Sequence, residues 1–270
     1  MEPQAPVKIA AVQMVSTPIV AENVETARRL VADAARQGAQ LVLLPEYWPL
    51  MGMHEADKVG HAEQDGAGPI QQCMAEIACE HQIWLIGGTL PMATSAPDKV
   101  LNTMLVYGPG GERVMRYDKI HLFSFSKGEE SYDEARTIVA GAQVATFAAP
   151  FGKVGLSVCY DLRFPELYRA MGDCSLIVVP AAFTYTTGRA HWEILLRARA
   201  IENQCYVLAA AQGGQHRNGR RTWGHSMLID PWGEIKAQLA EGEGLVIGDI
   251  EPPHMMRVRD DLPALKHRRL

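Results

Sequence analysis

The sequence predicts an α/β fold with mixed β-sheets, and three patterns along the chain lead to this prediction. Short apolar runs alternate with segments in which apolar residues recur every three or four positions, as they do in amphipathic helices. Several of the apolar runs, such as 8–14 and 176–183, show no regular alternation with polar residues, which is typical of strands covered on both faces. Segments 103–123 and 224–235 turn at Gly- and Pro-containing centres and are predicted as hairpins, so antiparallel pairs should accompany parallel ones.

The separate elements follow in chain order from the same patterns. A first helix is predicted between the strands 8–14 and 41–46, because its apolar residues lie on one helical face, and it should stop near Gly38. A long helix is predicted over 191–204, and we interpret its Arg-rich RARAIE run as the side that faces solvent. Further strands are predicted at 83–90, 154–161, 176–183 and 206–212.

The length of 270 residues is long for one domain, although α/β folds often reach it. Apolar residues make up 47% of the chain, which is enough for a substantial core. No Ser/Gly-rich linker, block of like charges or low-complexity segment divides the chain. We therefore expect a single domain that spans residues 1–270.

Charge and cysteine content bear on the partners and the location of the protein. The net charge of −5 argues weakly against nucleic acid, which needs a concentrated basic face. The chain has no run of about 18 apolar residues, and its N-terminus does not read as a signal peptide, so no membrane span is expected. Five cysteines without a CxxC pair favour free thiols in a reducing cytoplasm. No HExxH, CxxC or HxH spacing is present, so we expect no metal and no other cofactor.

Three side chains at strand ends or in a hairpin are candidates for chemistry. Cys159 ends an apolar run, Glu46 follows LVLLP, and Lys119 lies among apolar residues on the return arm of a hairpin. Each has a more ordinary explanation when it is taken alone: a core cysteine, a capping or loop acid, and an exposed lysine. A cysteine is nucleophilic as the thiolate, so Cys159 needs a cation or a base close to it in space.

The motifs around these three residues occur in a recognisable order. LLPEYW contains Glu46, YDKIHLF contains Lys119, and VCYDLRFPELY contains Cys159. In this order they resemble the motifs of the carbon–nitrogen hydrolase, or nitrilase, superfamily, and the resemblance covers nearly the entire chain. It implies a four-layer α-β-β-α sandwich with two mixed sheets, in which these Glu, Lys and Cys residues are catalytic.

The resemblance also implies a role for each residue. Lys119, as the ammonium, would favour the thiolate of Cys159 and later stabilise an oxyanion together with the backbone N–H of Tyr160. Glu46 would act as general base and then as general acid. The reaction then runs through a thioester acyl-enzyme, and it needs neither a histidine near the cysteine nor a cofactor.

Further residues match family positions by the same resemblance. Glu134 in YDEA matches a fourth acid that positions Lys119 or Glu46, and Glu129 and Glu130 stay open as alternatives for this acid. The residues that the resemblance implies for the substrate pocket are Tyr47, Phe183 and Thr187.

Arg163 stands four residues after Cys159, and its planar guanidinium suits a carboxylate on the substrate. In related amidases and carbamoylases, an arginine at this offset is associated with substrates that carry a carboxylate. The structural alternative, an ion pair between Arg163 and Asp161 or Glu166, stays open.

The substrate class is indicated by the longest motifs. Segments 180–216 and 224–233 resemble the branch of the family that contains deaminated glutathione amidase and ω-amidase. This branch implies hydrolysis of an amide on a small α-keto acid. Deaminated glutathione would give α-ketoglutarate and cysteinylglycine, whereas an ω-amidase would release ammonia from α-ketoglutaramate. Family members also associate, so a homodimer or a higher even homo-oligomer is expected.

Three other functions remain as alternatives. A catalytically silent scaffold that binds a partner is disfavoured, because all three candidate residues are present. A Cys–His protease would need a histidine paired with Cys159 and a papain-like sequence around it, and neither is visible. Within the family the substrate could instead be a nitrile, an N-carbamoyl amino acid or another aliphatic amide, and the branch motifs argue against these.

Overall fold

Two large mixed β-sheets form the centre of the molecule within residues 5–128 and 130–269, the part of the chain that the computed structural model describes. The first half contains, in chain order, β1 (Val7–Gln13), α1 (Val20–Arg36), β2 (Leu41–Leu43), α2 (Asp57–Gly60), α3 (Pro69–His81), β3 (Trp84–Ile86), β4 (Leu90–Ala93), β5 (Val100–Tyr107), β6 (Arg113–Asp118), β7 (Ser124–Lys127), β8 (Glu130–Asp133) and β9 (Ile138–Val139).

The second half continues the same alternation of strands and helices. Its elements are β10 (Thr146–Ala149), β11 (Gly152–Leu156), α4 (Pro165–Ala170), β12 (Leu176–Ala181), α5 (Tyr185–Asn203), β13 (Tyr206–Ala211), β14 (Ser226–Ile229), β15 (Ile235–Leu239), β16 (Gly244–Ile250) and α6 (Pro252–Asp261). Short 3₁₀ turns cover Glu134–Arg136, Cys159–Arg163 and Ala264–His267.

Both large sheets combine parallel and antiparallel pairs. In the first sheet the strand order is β16-β1-β2-β3-β5-β4, and β6 and β9 also pair with β5. In the second sheet the order is β10-β11-β12-β13-β14-β15. The parallel pairs lie at the centres, β1–β2–β3 in one sheet and β11–β12–β13 in the other, and hairpins form the flanks. The carboxyl ends of the central strands therefore provide neighbouring loops at one edge of each sheet.

The sheets face each other and the helices cover their outer sides. Strands β1 and β2 of the first sheet contact β13 of the second. Helices α1 and α3 pack on the outside of the first sheet, and α5, with α4 against it, packs on the outside of the second. This is the four-layer α-β-β-α sandwich that the sequence predicted, and the prediction is confirmed.

Alternate residues of a central strand enter different apolar layers. Ile9 and Ala11 of β1 belong to the cluster between the sheets, whereas Ala10 and Val12 belong to the cluster under α1 and α3. All four side chains are buried. Because both faces of the strand are covered, the sequence shows a continuous apolar run instead of an alternating one.

Several predicted element boundaries are wrong: the strand expected over 154–161 ends at Leu156 and the one expected over 41–46 ends at Leu43. Two further boundaries differ for clear local reasons. The strand expected over 83–90 is broken after Ile86, because Gly88 adopts a positive φ of +50° and a Cβ there would collide with the carbonyl oxygen of Pro45. Helix α5 begins already at Tyr185, because the Thr184 hydroxyl accepts a hydrogen bond from the N–H of Thr187 and caps the helix. Among the described residues, no helix has the length and apolar character that a membrane span requires.

A buried histidine joins loops from the two sheets. The carbonyl oxygen of Ser16 accepts a hydrogen bond of 2.9 Å from Nδ1 of His216, and the Thr222 hydroxyl lies 2.8 Å from Nε2. Since a carbonyl only accepts, Nδ1 carries the proton of the neutral ring and Nε2 accepts from Thr222. Burial lowers the pKa of His216 to about 4, so this side chain stays neutral in the folded protein above that pH.

The lowered pKa of His216 predicts a specific acid sensitivity. The unfolded chain binds a proton at this histidine below its usual pKa of about 6.5, while the folded protein does not until about pH 4, so stability falls as the pH falls through this window. We expect His216 to account for a loss of about 2 kcal/mol in the free energy of unfolding between pH 7.5 and pH 5.

Urea unfolding of wild type and His216→Asn at the two pH values measures this effect. The asparagine amide can still donate to Ser16 but does not titrate, so the stability of the variant should decline less steeply with acid. His61→Gln, at an exposed histidine, is the control and should keep the wild-type slope. An identical pH slope in wild type and His216→Asn would contradict the assignment.

Candidate active site

Three buried side chains meet where the two sheets face each other. Glu46 follows β2, Lys119 follows β6, and Cys159 follows β11, so the site combines residues from both sheets. Their exposed fractions are 1%, 0% and 7%. One carboxylate oxygen of Glu46 accepts a hydrogen bond of 2.9 Å from the N–H of Ala182, directly after β12, and this contact links the sheets at the site.

Lys119 holds the two acids of the site. Its Nζ donates to Oε1 of Glu46 at 2.9 Å and to both carboxylate oxygens of Glu134 at 2.9 and 2.8 Å. The side-chain amide of Asn102 donates to the same Oε1 of Glu46 at 2.9 Å. The N–H of Phe123 donates to Glu134 at 2.7 Å. These contacts fix all three charged groups, and Asn102 is a member of the network that the sequence did not indicate.

The network keeps Lys119 charged despite its burial. Burial by itself would lower the pKa of Lys119, but the carboxylates of Glu134 and Glu46 raise this pKa well above its usual value. Burial would likewise raise the pKa of Glu134, but the ammonium of Lys119 holds it below its usual value. Both groups therefore remain ionised across the neutral pH range.

Cys159 occupies a strained turn at the start of a 3₁₀ helix. Its φ is +52°, a conformation that costs a residue with a side chain about 1–2 kcal/mol. Burial raises the pKa of the Cys159 thiol well above its usual value, and the neighbouring carboxylate of Glu46 adds to the rise more than Lys119 offsets it. Lys119 acts in the expected direction and lowers the pKa of the Cys159 thiol, but burial and the Glu46 carboxylate outweigh this effect, so the thiol of the resting protein is protonated at neutral pH.

Asp161 anchors the turn that carries Cys159. One of its carboxylate oxygens accepts hydrogen bonds from the Tyr117 hydroxyl at 2.7 Å and the N–H of Val158 at 2.8 Å. The other accepts from the N–H and from Nδ1 of His121 at 3.0 and 2.7 Å. The side chain is completely buried. Asp161 thus joins the turn to the segment that follows β6, a role that the sequence did not reveal.

A second anchor of this turn comes from α5. The guanidinium of Arg199 donates twice to the carbonyl oxygen of Leu162, at 3.1 and 2.8 Å, and also contacts Glu202 at 2.7 Å. Arg199 is only 5% exposed. The interpretation of the whole RARAIE run as a solvent-facing side is therefore wrong at this residue, because its side chain supports the Cys159 turn from behind.

A small pocket opens onto these groups. Phe183 and Thr187, both expected from the sequence, line it, and so does Tyr160. Other lining residues are Glu46, Phe123, Glu134, Cys159, Ala182, Thr184 and Arg220. The pocket therefore brings the thiol, two carboxylates and aromatic surface together in one small space.

Of the described candidates for the fourth acid, Glu134 contacts Lys119, whereas Glu130 accepts a hydrogen bond of 2.9 Å from the Thr186 hydroxyl. Glu129, the other alternative, lies outside the described residues. Tyr47 does not line the pocket, but its hydroxyl donates to Glu134 at 2.8 Å. Tyr47 thus contacts the acid that holds Lys119, and it lines an adjoining cleft.

Arg163 lies against the aromatic wall and is not among the residues that line the pocket. Its guanidinium carbon is 5.6 Å from the ring centre of Tyr160 and 5.5 Å from that of Phe183. Its Nη1 donates to Nδ1 of His191 at 3.2 Å. Neither ion pair that the sequence left open is formed among the described residues, since Asp161 is taken by other donors.

A different arginine lines the pocket. Arg220, in the loop before β14, donates through Nη2 to the carbonyl oxygen of Ala182 at 2.8 Å. It also lines the adjoining cleft with Tyr47, His54 and Lys58. Nothing in the GRRTW sequence around Arg220 distinguished it from the arginine that follows it.

The comparison with known families identifies the family of the chain. The sequence profile of the family described as carbon-nitrogen hydrolase matches residues 8–260. The chain belongs to the carbon–nitrogen hydrolase family. Its members are hydrolases of carbon–nitrogen bonds, so the protein is an enzyme of this class. The recognition made from the three sequence motifs is confirmed.

Relatives of this carbon–nitrogen hydrolase are similar to it along nearly their whole length. Deaminated glutathione amidase of Synechocystis sp. is 41% identical over 269 residues, which are 97% of this chain and 98% of the relative. Omega-amidase NIT2 of Mus musculus is 37% identical over 270 residues, which are 97% of this chain and 95% of the relative.

Solved structures share the fold of this hydrolase. The C. elegans NitFhit protein superposes with a TM-score of 0.89 at 36% identity, covering 99% of this chain but only 66% of that longer protein. Saccharomyces cerevisiae Nit3, described as a member of branch 10 of the nitrilase superfamily, superposes with a TM-score of 0.88 at 28% identity. This second superposition covers 99% of this chain and 98% of Nit3.

Proposed function

We propose that this protein is a cysteine amidase that hydrolyses the amide of a small α-keto-acid substrate, with deaminated glutathione as the foremost candidate. The observation that carries the proposal is that Cys159, Glu46 and Glu134 line one pocket and that the buried ammonium of Lys119 contacts both carboxylates. A thiol beside a buried carboxylate and an ammonium provides a nucleophile, a proton acceptor and a cation for a developing oxyanion.

The first half of the reaction transfers the acyl group to sulfur. The resting thiol is protonated, so its proton passes to the carboxylate of Glu46 as the sulfur of Cys159 attacks the amide carbonyl carbon. The carbonyl oxygen becomes an oxyanion, which Lys119 and the backbone N–H of Tyr160 stabilise. The carbon–nitrogen bond then breaks as Glu46 returns the proton to the leaving nitrogen, and a thioester remains.

The second half releases the acid. A water molecule attacks the thioester carbonyl carbon and gives a proton to Glu46. The carbon–sulfur bond breaks, the proton returns to sulfur, and the carboxylic acid product leaves. Lys119 stays charged throughout, because Glu134 and Glu46 raise its pKa. Glu134 therefore acts as a positioning residue that holds the lysine.

The substrate class is supported by the relatives. Proteins named deaminated glutathione amidase and omega-amidase match nearly the whole chain. Deaminated glutathione has a cysteinylglycine leaving group, which needs more room than ammonia, so the two candidate substrates differ in the space that the leaving group requires.

A comparison of two substrates tests this proposal. Release of α-ketoglutarate is measured for deaminated glutathione and for α-ketoglutaramate, and we expect the higher kcat/KM for deaminated glutathione. A higher value for α-ketoglutaramate would keep the mechanism and assign an ω-amidase instead. If wild-type protein releases α-ketoglutarate from neither compound, the substrate proposal is wrong.

We also propose that this single-domain protein acts in the cytoplasm as a homodimer or a higher even oligomer. Large apolar side chains are exposed on the outer surface of the second sheet's helix layer, including Ile194 and Ile201 on α5 and Trp232 in the β14–β15 turn. The turn adjoins α5, because Arg197 donates to the carbonyl oxygen of Gly233 at 2.9 Å. Sedimentation of purified protein measures the assembly, and a monomer at micromolar concentration would contradict it.

A further inference from the structure

Arg220 carries a charge that no acid of the described chain neutralises directly. Among residues 5–128 and 130–269, no carboxylate lies within 4.0 Å of its guanidinium, although the neighbouring Arg221 pairs with Glu241 at 2.9 Å. The Nε atom of Arg220 is sealed from solvent and has no hydrogen-bond partner. A shielded N–H donor on a permanently charged group is unfavourable unless an acceptor reaches it, so this donor indicates a place for an anion.

The position of Arg220 is fixed relative to the reacting groups. Its Nη2 donates to the carbonyl oxygen of Ala182, and the N–H of the same residue donates to Glu46. Ala182 therefore connects the guanidinium of Arg220 to the carboxylate of Glu46, which lies beside Cys159. On its other side the guanidinium carbon lies 5.1 Å from the ring centre of Tyr132, which limits its movement.

We propose that Arg220, in the wall of the pocket, binds the carboxylate of the acyl part of the substrate. This inference rests on the proposed function, because it concerns the substrate of the same site. A guanidinium that still has free N–H donors suits a carboxylate in the planar, bidentate geometry that arginine prefers. The acyl part of the substrate stays bound through both halves of the reaction, whereas the amine leaves after the first. A fixed contact in the pocket wall is therefore more useful for the acyl part.

The proposal changes the assignment that the sequence favoured. Arg163 already donates to His191 and lies beside the rings of Tyr160 and Phe183, outside the pocket lining. Arg220 lines the pocket itself. A competing explanation is that Arg220 only compensates the excess negative charge of Glu46 and Glu134, which share the single ammonium of Lys119.

Two amides separate these explanations. α-Ketoglutaramate carries the carboxylate, and 4-oxopentanamide is the same keto amide with a methyl group in its place. In Arg220→Gln we expect kcat/KM for α-ketoglutaramate to fall by about 10- to 100-fold, the range for one charge-assisted contact. The value for 4-oxopentanamide should change by less than about 3-fold. Arg220→Lys keeps the charge without the planar donor pair and should fall between wild type and Arg220→Gln.

Arg221→Gln is the matched control, because this exposed arginine is next in the chain and pairs with Glu241. It should leave kcat/KM unchanged for both amides. Equal losses of Arg220→Gln on both amides would overturn the proposal and favour charge compensation. A loss on deaminated glutathione without one on α-ketoglutaramate would also overturn it, because Arg220 would then bind the leaving group.

A binding measurement separates weaker substrate binding from misfolding or slower turnover. Calorimetry measures the affinity for α-ketoglutaramate of the Cys159→Ala variant and of the double variant Cys159→Ala with Arg220→Gln. The melting temperatures of the two proteins should agree, which shows that both are folded. We expect about 10- to 100-fold weaker binding in the second protein, and equal affinity would contradict the proposal. Wild type that hydrolyses none of the amides refutes the proposed function, whereas active wild type without this selectivity refutes only the role of Arg220.

Discussion

The Cys159→Ser variant should fold as wild type does and lose about 10⁵-fold or more in kcat/KM. Serine matches the small volume of cysteine at this 7% exposed position, so packing changes little. Its hydroxyl is a much weaker acid than a thiol, and the carboxylate of Glu46 cannot deprotonate it to the same extent. The measurements are α-ketoglutarate release with the two keto-acid amides and the melting temperature of each protein.

Cys79→Ala is the control for this experiment, because Cys79 is an exposed free thiol far along the chain from the site. It should retain wild-type kcat/KM. Mass spectrometry of wild type quenched during turnover should find the acyl group on the peptide that contains Cys159. Substantial activity in Cys159→Ser, with an intact melting temperature, would refute the nucleophilic role of this cysteine.

The Lys119→Met variant should lose both activity and stability. Without the ammonium, the carboxylates of Glu46 and Glu134 are buried next to each other without a cation, and the loss of one partner from a buried ionic network costs about 3–5 kcal/mol. The oxyanion also loses its charged donor, which should lower kcat by at least about 10²-fold. Urea unfolding monitored by tryptophan fluorescence measures the stability.

The stability deficit of Lys119→Met should depend on pH with a defined sign. In wild type, the lowered pKa of Glu134 makes this acid stabilising above its unfolded pKa, and the raised pKa of Lys119 makes the lysine stabilising below its unfolded pKa. In the variant the acid pKa rises instead, so the folded protein gains a proton and recovers stability as the pH falls toward 5. The deficit relative to wild type should therefore be largest at neutral pH and smaller at pH 5.

Two controls define the cause of this deficit. Lys119→Met combined with Glu134→Gln removes one of the two buried carboxylates and should recover a substantial part of the lost stability at pH 7.5. Lys236→Met changes an exposed lysine and should leave stability nearly unchanged. A deficit that is independent of pH, or that the second substitution does not reduce, would show that Lys119 contributes through packing and not through its charge.

Local patterns were sufficient to predict the fold class and the hairpins. The runs in β1 and β12 are apolar on both faces because helices cover one side and the facing sheet covers the other. Boundaries were less predictable: α5 extends back to Tyr185 through a threonine cap, and Gly88 breaks a strand because it packs on the Pro45 carbonyl. Both depend on contacts that a local pattern does not contain.

The sequence motifs predicted which residues form the candidate site. They did not predict the protonation states of these residues, which depend on burial. Three short motifs indicated Glu46, Lys119 and Cys159, which the structure brings into one network with Glu134. The sequence did not indicate that the Cys159 thiol is protonated at rest. That property follows from burial and from an adjacent carboxylate, both of which arise only when distant segments meet.

By itself, the sequence determined the family and the layered α/β fold, and it indicated the acid, lysine and cysteine of the candidate site, because short motifs of adjacent residues carry this information. The tertiary structure alone decided the supporting and recognising residues. Asp161 anchors the cysteine turn through partners about 40 residues away, and Arg220 reaches the pocket through a carbonyl 38 residues before it. The physical reason is that burial, hydrogen bonding and the absence of an ionic partner are properties of the folded surroundings, which no local pattern of residues specifies.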